Sequence, residues 1–167
     1  MLNVDVNALI KEIGKKLVSR SLYLSTAESC TGGYLGHLTT KFSGASRYYL
    51  GGVVSYANIG KMNILDVRQE TLDTFGAVSK QTAGEMAAGI QRVFASNEYP
   101  LEQIIGLSIT GIAGPGGGTA EKPVGLVWIS LESSRVQVSR QFQFKGTRLQ
   151  IIKQSAQMAL EMLLEII

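Results

Sequence analysis

Thr26–Leu38 reads TAESCTGGYLGHL, a glycine pair set between two different periodicities. Upstream, LYLSTA (Leu22–Ala27) is short, apolar and rich in β-formers, the composition of a buried strand. Downstream, Tyr34, Leu35, Leu38 and Phe42 fall on one helical face, so a helix is expected from Thr31 to about Phe42, ended by Ser43-Gly44. Strand, glycine turn and helix in that order point to a layered α/β fold.

The flanking sequence extends the pattern. Val6, Leu9, Ile10, Ile13 and Leu17 predict an amphipathic helix ahead of the strand. YYLGGVVSYAN (Tyr48–Asn58) reads as a strand whose two glycines mark a bulge or a close backbone approach, followed by a short helix near Gly60–Leu65. Ser79 suits the N-cap of a helix reaching about Ala95, with Ala83, Met86, Ala87, Ile90 and Phe94 on its apolar stripe.

QIIGLSITGIAGPGGG (Gln103–Gly118) repeats the opening device: a strand, Ile104–Ile109, runs into a loop holding Gly111, Gly114, Gly116, Gly117 and Gly118. VGLVWISL, from Val124, is apolar at both parities and suits a central strand covered on both faces. RVQVSRQFQF alternates, placing Val136, Val138, Phe142 and Phe144 on one face of a half-covered antiparallel strand, with Arg140 interrupting that face as an ion pair or oligomer contact. A last helix from about Thr147 carries Leu149, Ile152, Ala156, Leu160, Leu163 and Ile167 as its stripe. The expected architecture is a single three-layer α/β/α domain over residues 1–167 with a mixed central sheet.

Composition narrows the chemistry. A chain of 167 residues, 45% hydrophobic and 17% charged, has enough apolar material for one core. Its net charge of +3 is scattered, with Lys15-Lys16 the longest basic run, so direct nucleic-acid recognition is not expected. The charged N-terminal segment resembles neither a signal peptide nor a membrane span, which predicts a cytoplasmic protein. Cys30 and His37 are single, which rules out an internal disulfide and argues against a Cys/His zinc site; no metal or cofactor is expected.

Glycine turns between strand and helix let backbone N–H groups approach an anion, so Ser29, Thr31, Gly32 and Gly33 form either a phosphate cradle or a plain tight turn. The spacing matches neither Walker A nor the dinucleotide fingerprint. Two such loops at strand ends can border one crevice in an open α/β sheet. His37 reads as a packing or surface residue, and Cys30 as a small buried one. What remains is the triplet Ser46, Tyr56 and Lys61 in GASRYYLGGVVSYANIGK: either surface groups, or a serine-lysine pair for acyl transfer. Catalysis would require the ordinary lysine pKa of about 10.4 to be lowered toward neutrality.

Taken together, TAESCTGG, the GAS…YANIGK segment, GAVS, SITGIAGPGGG with EKPVG, and KGTR closely resemble the CinA C-terminal domain, in matching order and over nearly the whole chain. That family includes nicotinamide-mononucleotide amidohydrolases. The resemblance implies metal-independent hydrolysis of the carboxamide of nicotinamide mononucleotide to nicotinic acid mononucleotide and ammonia, in pyridine-nucleotide salvage. It makes Ser46 the nucleophile, Lys61 its base and Tyr56 an assisting residue. It makes Glu28, Ser29, Thr31, Gly32, Gly33, Thr110, Gly111, Gly114 and Arg148 the substrate-binding set. Within that set Glu28 fixes ribose hydroxyls, pairs with a cation or orients the Gly-Gly loop, Thr110 bonds substrate or closes its strand, and Arg148 binds phosphate, depresses the Lys61 pKa or is a solvated cation at the helix start. A homo-oligomer is implied by the same resemblance. Larger members carry an N-terminal domain resembling molybdopterin-binding proteins, whose activity this chain is expected to lack. The competing classes are a noncatalytic nucleotide-binding protein, with Ser46 and Lys61 far apart, and a competence or damage-response factor.

Overall fold

The computed structural model describes residues 5–167; the first four residues of the expected domain lie outside the described residues. Its elements run α1 (Val6–Ser19), β1 (Tyr23–Glu28), α2 (Tyr34–Thr40), a 3-10 turn (Ala45–Arg47), β2 (Tyr49–Val54), α3 (Asn58–Leu65), α4 (Gln69–Phe75) and α5 (Lys80–Phe94). A second 3-10 turn (Leu101–Gln103) leads into β3 (Ile104–Gly111), β4 (Leu126–Glu132), β5 (Gln137–Gln143) and α6 (Arg148–Ile166). The five strands lie in the order β2-β1-β3-β4-β5. β2, β1 and β3 are parallel, and β4 and β5 are added antiparallel. This is the mixed-sheet α/β fold that the alternation of strand and helix signals predicts.

Two apolar layers enclose the sheet. Leu24, Ile105, Leu107, Ile109, Val127, Ile129 and Leu131 meet α1, α2 and α6 on one face. Ala27 packs with Leu65, Leu72, Met86 and Ile90 of α3, α4 and α5 on the other. Each fully buried Leu or Ile contributes roughly 1.5–3 kcal/mol. Gly106 lets α5 approach closely: a Cβ there would strike the Ala87 carbonyl. The polar positions facing α5 are satisfied by its backbone and neighbours, as where Ser108 Oγ donates to Ala83 O at 2.6 Å.

Local signals resolve as expected at several ends. Ser79 caps α5 by accepting from Thr82 N. Thr147 and Gln150 form a reciprocal capping box at the start of α6. The β2 glycines mark both a bulge and a close approach. The register with β1 shifts between Leu24 and Ser25, and a Cβ on Gly52 would strike Thr26 Oγ1 and Tyr49 Oη. Arg140 meets Glu165 of α6 at 2.6 Å, so its break in the apolar face is an ion pair.

Two expectations are corrected, and one helix was not expected. α2 starts at Tyr34 rather than Thr31, because Gly32 and Gly33 adopt φ of 61° and 95° and turn the chain first. On α6, Ala156, Leu160, Leu163 and Ile167 of the expected stripe are buried and Ile152 packs against the core, but Leu149 is 56% exposed and Ile151, Ser155, Ala159 and Met162 complete the buried face, since helical spacing does not fix which turns find a packing partner. α4 carries too short an apolar pattern to read from sequence. No described helix is long and apolar enough to cross a membrane.

Candidate active site

The parallel strands end together. Glu28 is level with Val54 of β2 and with Ile109 of β3, and Ser29 N donates to Ile109 O at 2.9 Å. A cavity of about 260 Å³ opens beyond these ends. It is lined by Ser29 and Cys30 after β1, Tyr56 and Lys61 after β2, Ala77 and Val78 before α5, Thr110 and Gly111 at the end of β3, Ile112–Gly114, Gly116 and Gly117 after it, and Arg148 at the start of α6. The segments after β1 and β3 therefore both reach one crevice, but the first contributes Ser29 and Cys30 rather than its glycines, and the glycine wall comes from the second alone.

Lys61 is the centre of this site. It sits on α3 at 1% exposure, and its Nζ donates to Ser55 O at 2.7 Å, Ser29 Oγ at 3.0 Å and Tyr56 O at 3.2 Å. Removal from water lowers its pKa below the usual lysine value. The loss of one proton suits this geometry: two N–H bonds still serve the carbonyls of Ser55 and Tyr56, and the freed lone pair faces the Ser29 hydroxyl. Beside it, burial pushes the Cys30 thiol up to about 12, so Cys30 stays a neutral, unreactive wall. Among the described residues no carboxylate lines the cavity, and none pairs with Lys61 there.

Arg148 guards the mouth. Its Nη1 donates to Gly114 O at 2.7 Å and its Nη2 to Tyr56 Oη at 2.9 Å, which links the α6 start, the glycine loop and the turn after β2. Three of its five N–H donors remain available to an anion. Thr110 lines the cavity with its hydroxyl committed to Ala77 O at 2.8 Å, holding the turn before α5.

The structure does not bring Ser46 to Lys61. Ser46 is exposed in the 3-10 turn before β2, at the strands' opposite end, and the six residues of β1 alone span about 20 Å. The serine beside Lys61 is Ser29, which the sequence reading placed in the binding set. Glu28, Thr31, Gly32 and Gly33 lie outside the cavity lining. At 2% exposure, the Glu28 carboxylate accepts from Gly33 N and Leu35 N at 3.0 Å and from Gly36 N at 2.8 Å. The protein's own carboxylate thus takes three N–H groups at the start of α2 and ties the Gly-Gly turn to β1. Thr31 is buried, with its hydroxyl unpartnered among the described residues. His37 is exposed on α2. The missed signal was position: Ser29 follows its strand directly, at the end where crevices form in parallel sheets.

Among the described residues no group of three or more His, Cys, Asp or Glu could hold a metal.

Comparison with known proteins agrees with this architecture. The family model for the CinA C-terminal domain matches residues 6–167. The chain is 44% identical over 159 residues to a CinA-like protein of Desulfotalea psychrophila, covering 95% of this chain and 37% of that protein. It is 48% identical over 136 residues to a putative competence-damage inducible protein of Clostridium perfringens, covering 81% of this chain and 31% of that one. It thus spans about a third of the length of the curated relatives it matches. The crystal structure of the competence/damage inducible protein CihA from Agrobacterium tumefaciens superposes with a TM-score of 0.90 at 38% identity, covering 99% of this chain and 98% of that one. A competence or damage-inducible protein from Enterobacter asburiae gives 0.89 at 34% identity, covering 99% and 100%. Matched by the family model over residues 6–167 and sharing the fold of these solved structures, this chain belongs to the CinA C-terminal domain family.

Proposed function

We propose that the cavity hydrolyses the carboxamide of nicotinamide mononucleotide, with Ser29 as nucleophile and Lys61 as general base and acid. The observation that carries this reading is the buried 3.0 Å contact between Lys61 Nζ and Ser29 Oγ in a crevice with no competing acid. The membership of amidohydrolases in the family supplies the substrate, and Arg148 at the mouth supplies a charge for its phosphate.

In the first half-reaction, Ser29 Oγ attacks the amide carbon while its proton passes to the neutral Lys61 amine. Backbone N–H groups of the glycine loop face the resulting oxyanion. The C–N bond then breaks as Lys61 returns the proton to the leaving nitrogen, releasing ammonia and leaving a nicotinyl ester on Ser29. In the second, water attacks the ester, Lys61 takes one of its protons and passes it to Ser29 Oγ, and the carboxylic acid that leaves gives up its remaining proton to solvent. One water is consumed and one ammonia released per cycle. Cys30, held as a thiol, does not compete for the acyl group.

The test is to measure ammonia and nicotinic acid mononucleotide formed from nicotinamide mononucleotide, with chelator present, by the wild type and by Ser29→Ala. The expected result is product from the wild type alone. Equal turnover by Ser29→Ala would remove the serine mechanism. A wild type that binds the nucleotide without converting it would leave a binding protein.

A further inference from the structure

We propose that Lys122 is a positioning residue that latches the glycine wall of the cavity against the α4–α5 junction and so sets the width of the substrate site. The inference rests on the Ser29–Lys61 cavity being that site. Lys122 comes from the EKPVG motif, which the chemistry above leaves without a role.

The connection from β3 to β4 is zipped at its base, where Ile112 N donates to Leu126 O at 2.9 Å and Gly125 N to Ile112 O at 2.7 Å. Gln143 holds Val124 O beside that base, and Arg148 holds Gly114 O. Farther out, Pro115–Gly118 make no hydrogen bond among the described residues, yet Gly116 and Gly117 form a cavity wall. What fixes the far side of this stretch is Lys122, whose Nζ donates to Phe75 O at 2.6 Å.

Both partners are prepared for that contact. Thr119 N donates to Lys122 O at 2.9 Å, Lys122 N donates to Thr119 Oγ1 at 3.0 Å, and Pro123 restricts the Lys122 backbone to extended conformations. The carbonyl it reaches is the last of α4, where no helical N–H is left to pair with it. Gly76, with φ of 75°, leaves room for the ammonium: a Cβ there would stand 3.1 Å from Lys122 Nζ. Lys122 makes no ion pair among the described residues, so this charge is spent on the carbonyl.

The surface that receives the latch is itself anchored. Gly76 O accepts from Ser79 Oγ and Thr82 Oγ1, and Ala77 O accepts from Thr110 Oγ1. Ala77 and Val78 form the cavity wall facing the glycines. Lys122 thereby couples one wall to the other without touching Ser29 or Lys61, and its loss widens the site while leaving the reacting pair in place.

Lys122→Met removes the donor at nearly constant length, and Lys122→Arg keeps one. Backbone 15N order parameters at Gly116, Gly117 and Gly118 should fall below about 0.6 in Lys122→Met, with values near the wild type in Lys122→Arg. The KM for nicotinamide mononucleotide should rise about tenfold in Lys122→Met with kcat within about threefold, the signature of lost binding rather than lost chemistry. Unchanged order parameters in Lys122→Met would overturn the latch, as would a fall in kcat at constant KM. A wild type that turns over no nucleotide would defeat the proposed activity, while the order parameters, which need no substrate, would still decide the latch.

Discussion

The two glycine-rich turns look alike in sequence and behave oppositely in the fold. After β1, Gly33, Leu35 and Gly36 aim their N–H groups at one point, and Glu28 from the same strand already occupies it. After β3, Pro115–Gly118 make no hydrogen bond among the described residues, and Gly116 and Gly117 line the cavity. The first turn is a self-saturated joint that holds Ser29 in place, and the second is an open wall. Glycine content therefore signals that backbone can approach an anion, and only the accounting of donors tells whether the protein supplies that anion itself.

The sharpest way to break this comparison is at the serines. Ser29→Ala should lower kcat for nicotinamide mononucleotide about a thousandfold or more, whereas Ser46→Ala, at the strands' other end, should stay within about twofold. The pH profile carries the same test. Lys61 works as the neutral amine, so kcat/KM should rise with pH as Lys61 loses its proton, with a midpoint below the ordinary value of about 10.4 because burial disfavours the ammonium. A flat profile would place the base elsewhere.

Next in size is Glu28. Glu28→Ala strips the acceptor from the amides of Gly33, Leu35 and Gly36 and should cost about 3 kcal/mol. For a chain of this length, that corresponds to about 6–12 °C in a thermal melt. An unchanged melt with a raised KM would instead make the first turn a ligand site. A smaller effect is expected at Arg148: Arg148→Lys should raise the KM of nicotinamide mononucleotide about tenfold and leave that of the unphosphorylated riboside nearly unchanged, since a lysine cannot reproduce the planar fork. Equal losses on both substrates would assign Arg148 to the loop rather than to phosphate. Smallest is Arg140→Ala. Its pair with Glu165 has side chains 45% and 53% exposed, so water screens it and the melt should shift by less than about 1 kcal/mol of stability.

Much of the fold was legible because its signals are local. The stripe of α1, the cap of α5 and the alternation along β5 depend on residues a few positions apart. The strand glycines of β2 announced a close approach whose partner, Tyr49 with Thr26, appears only when β2 lies against β1. On α6 the expected stripe fails at Leu149, because helical spacing fixes a stripe but not which of its turns find a packing partner. The site divided along the same line. Lys61, Tyr56, Thr110, Gly111, Gly114 and Arg148 were singled out in sequence, and they meet in one cavity.

By itself, the sequence determined the family, the α/β alternation and the residue types available for chemistry: lone cysteine, lone histidine, and a lysine close to several serines. Which serine faces that lysine was decided by the tertiary structure. Ser46 is nearer to Lys61 along the chain, but β2 carries the two to opposite ends of the sheet, whereas parallel pairing of β1 with β2 brings Ser29 and the turn leading to Lys61 to the same end. The physical reason is direction: strand pairing sets distances in space by register, and a proton can move only between groups that the register places in contact.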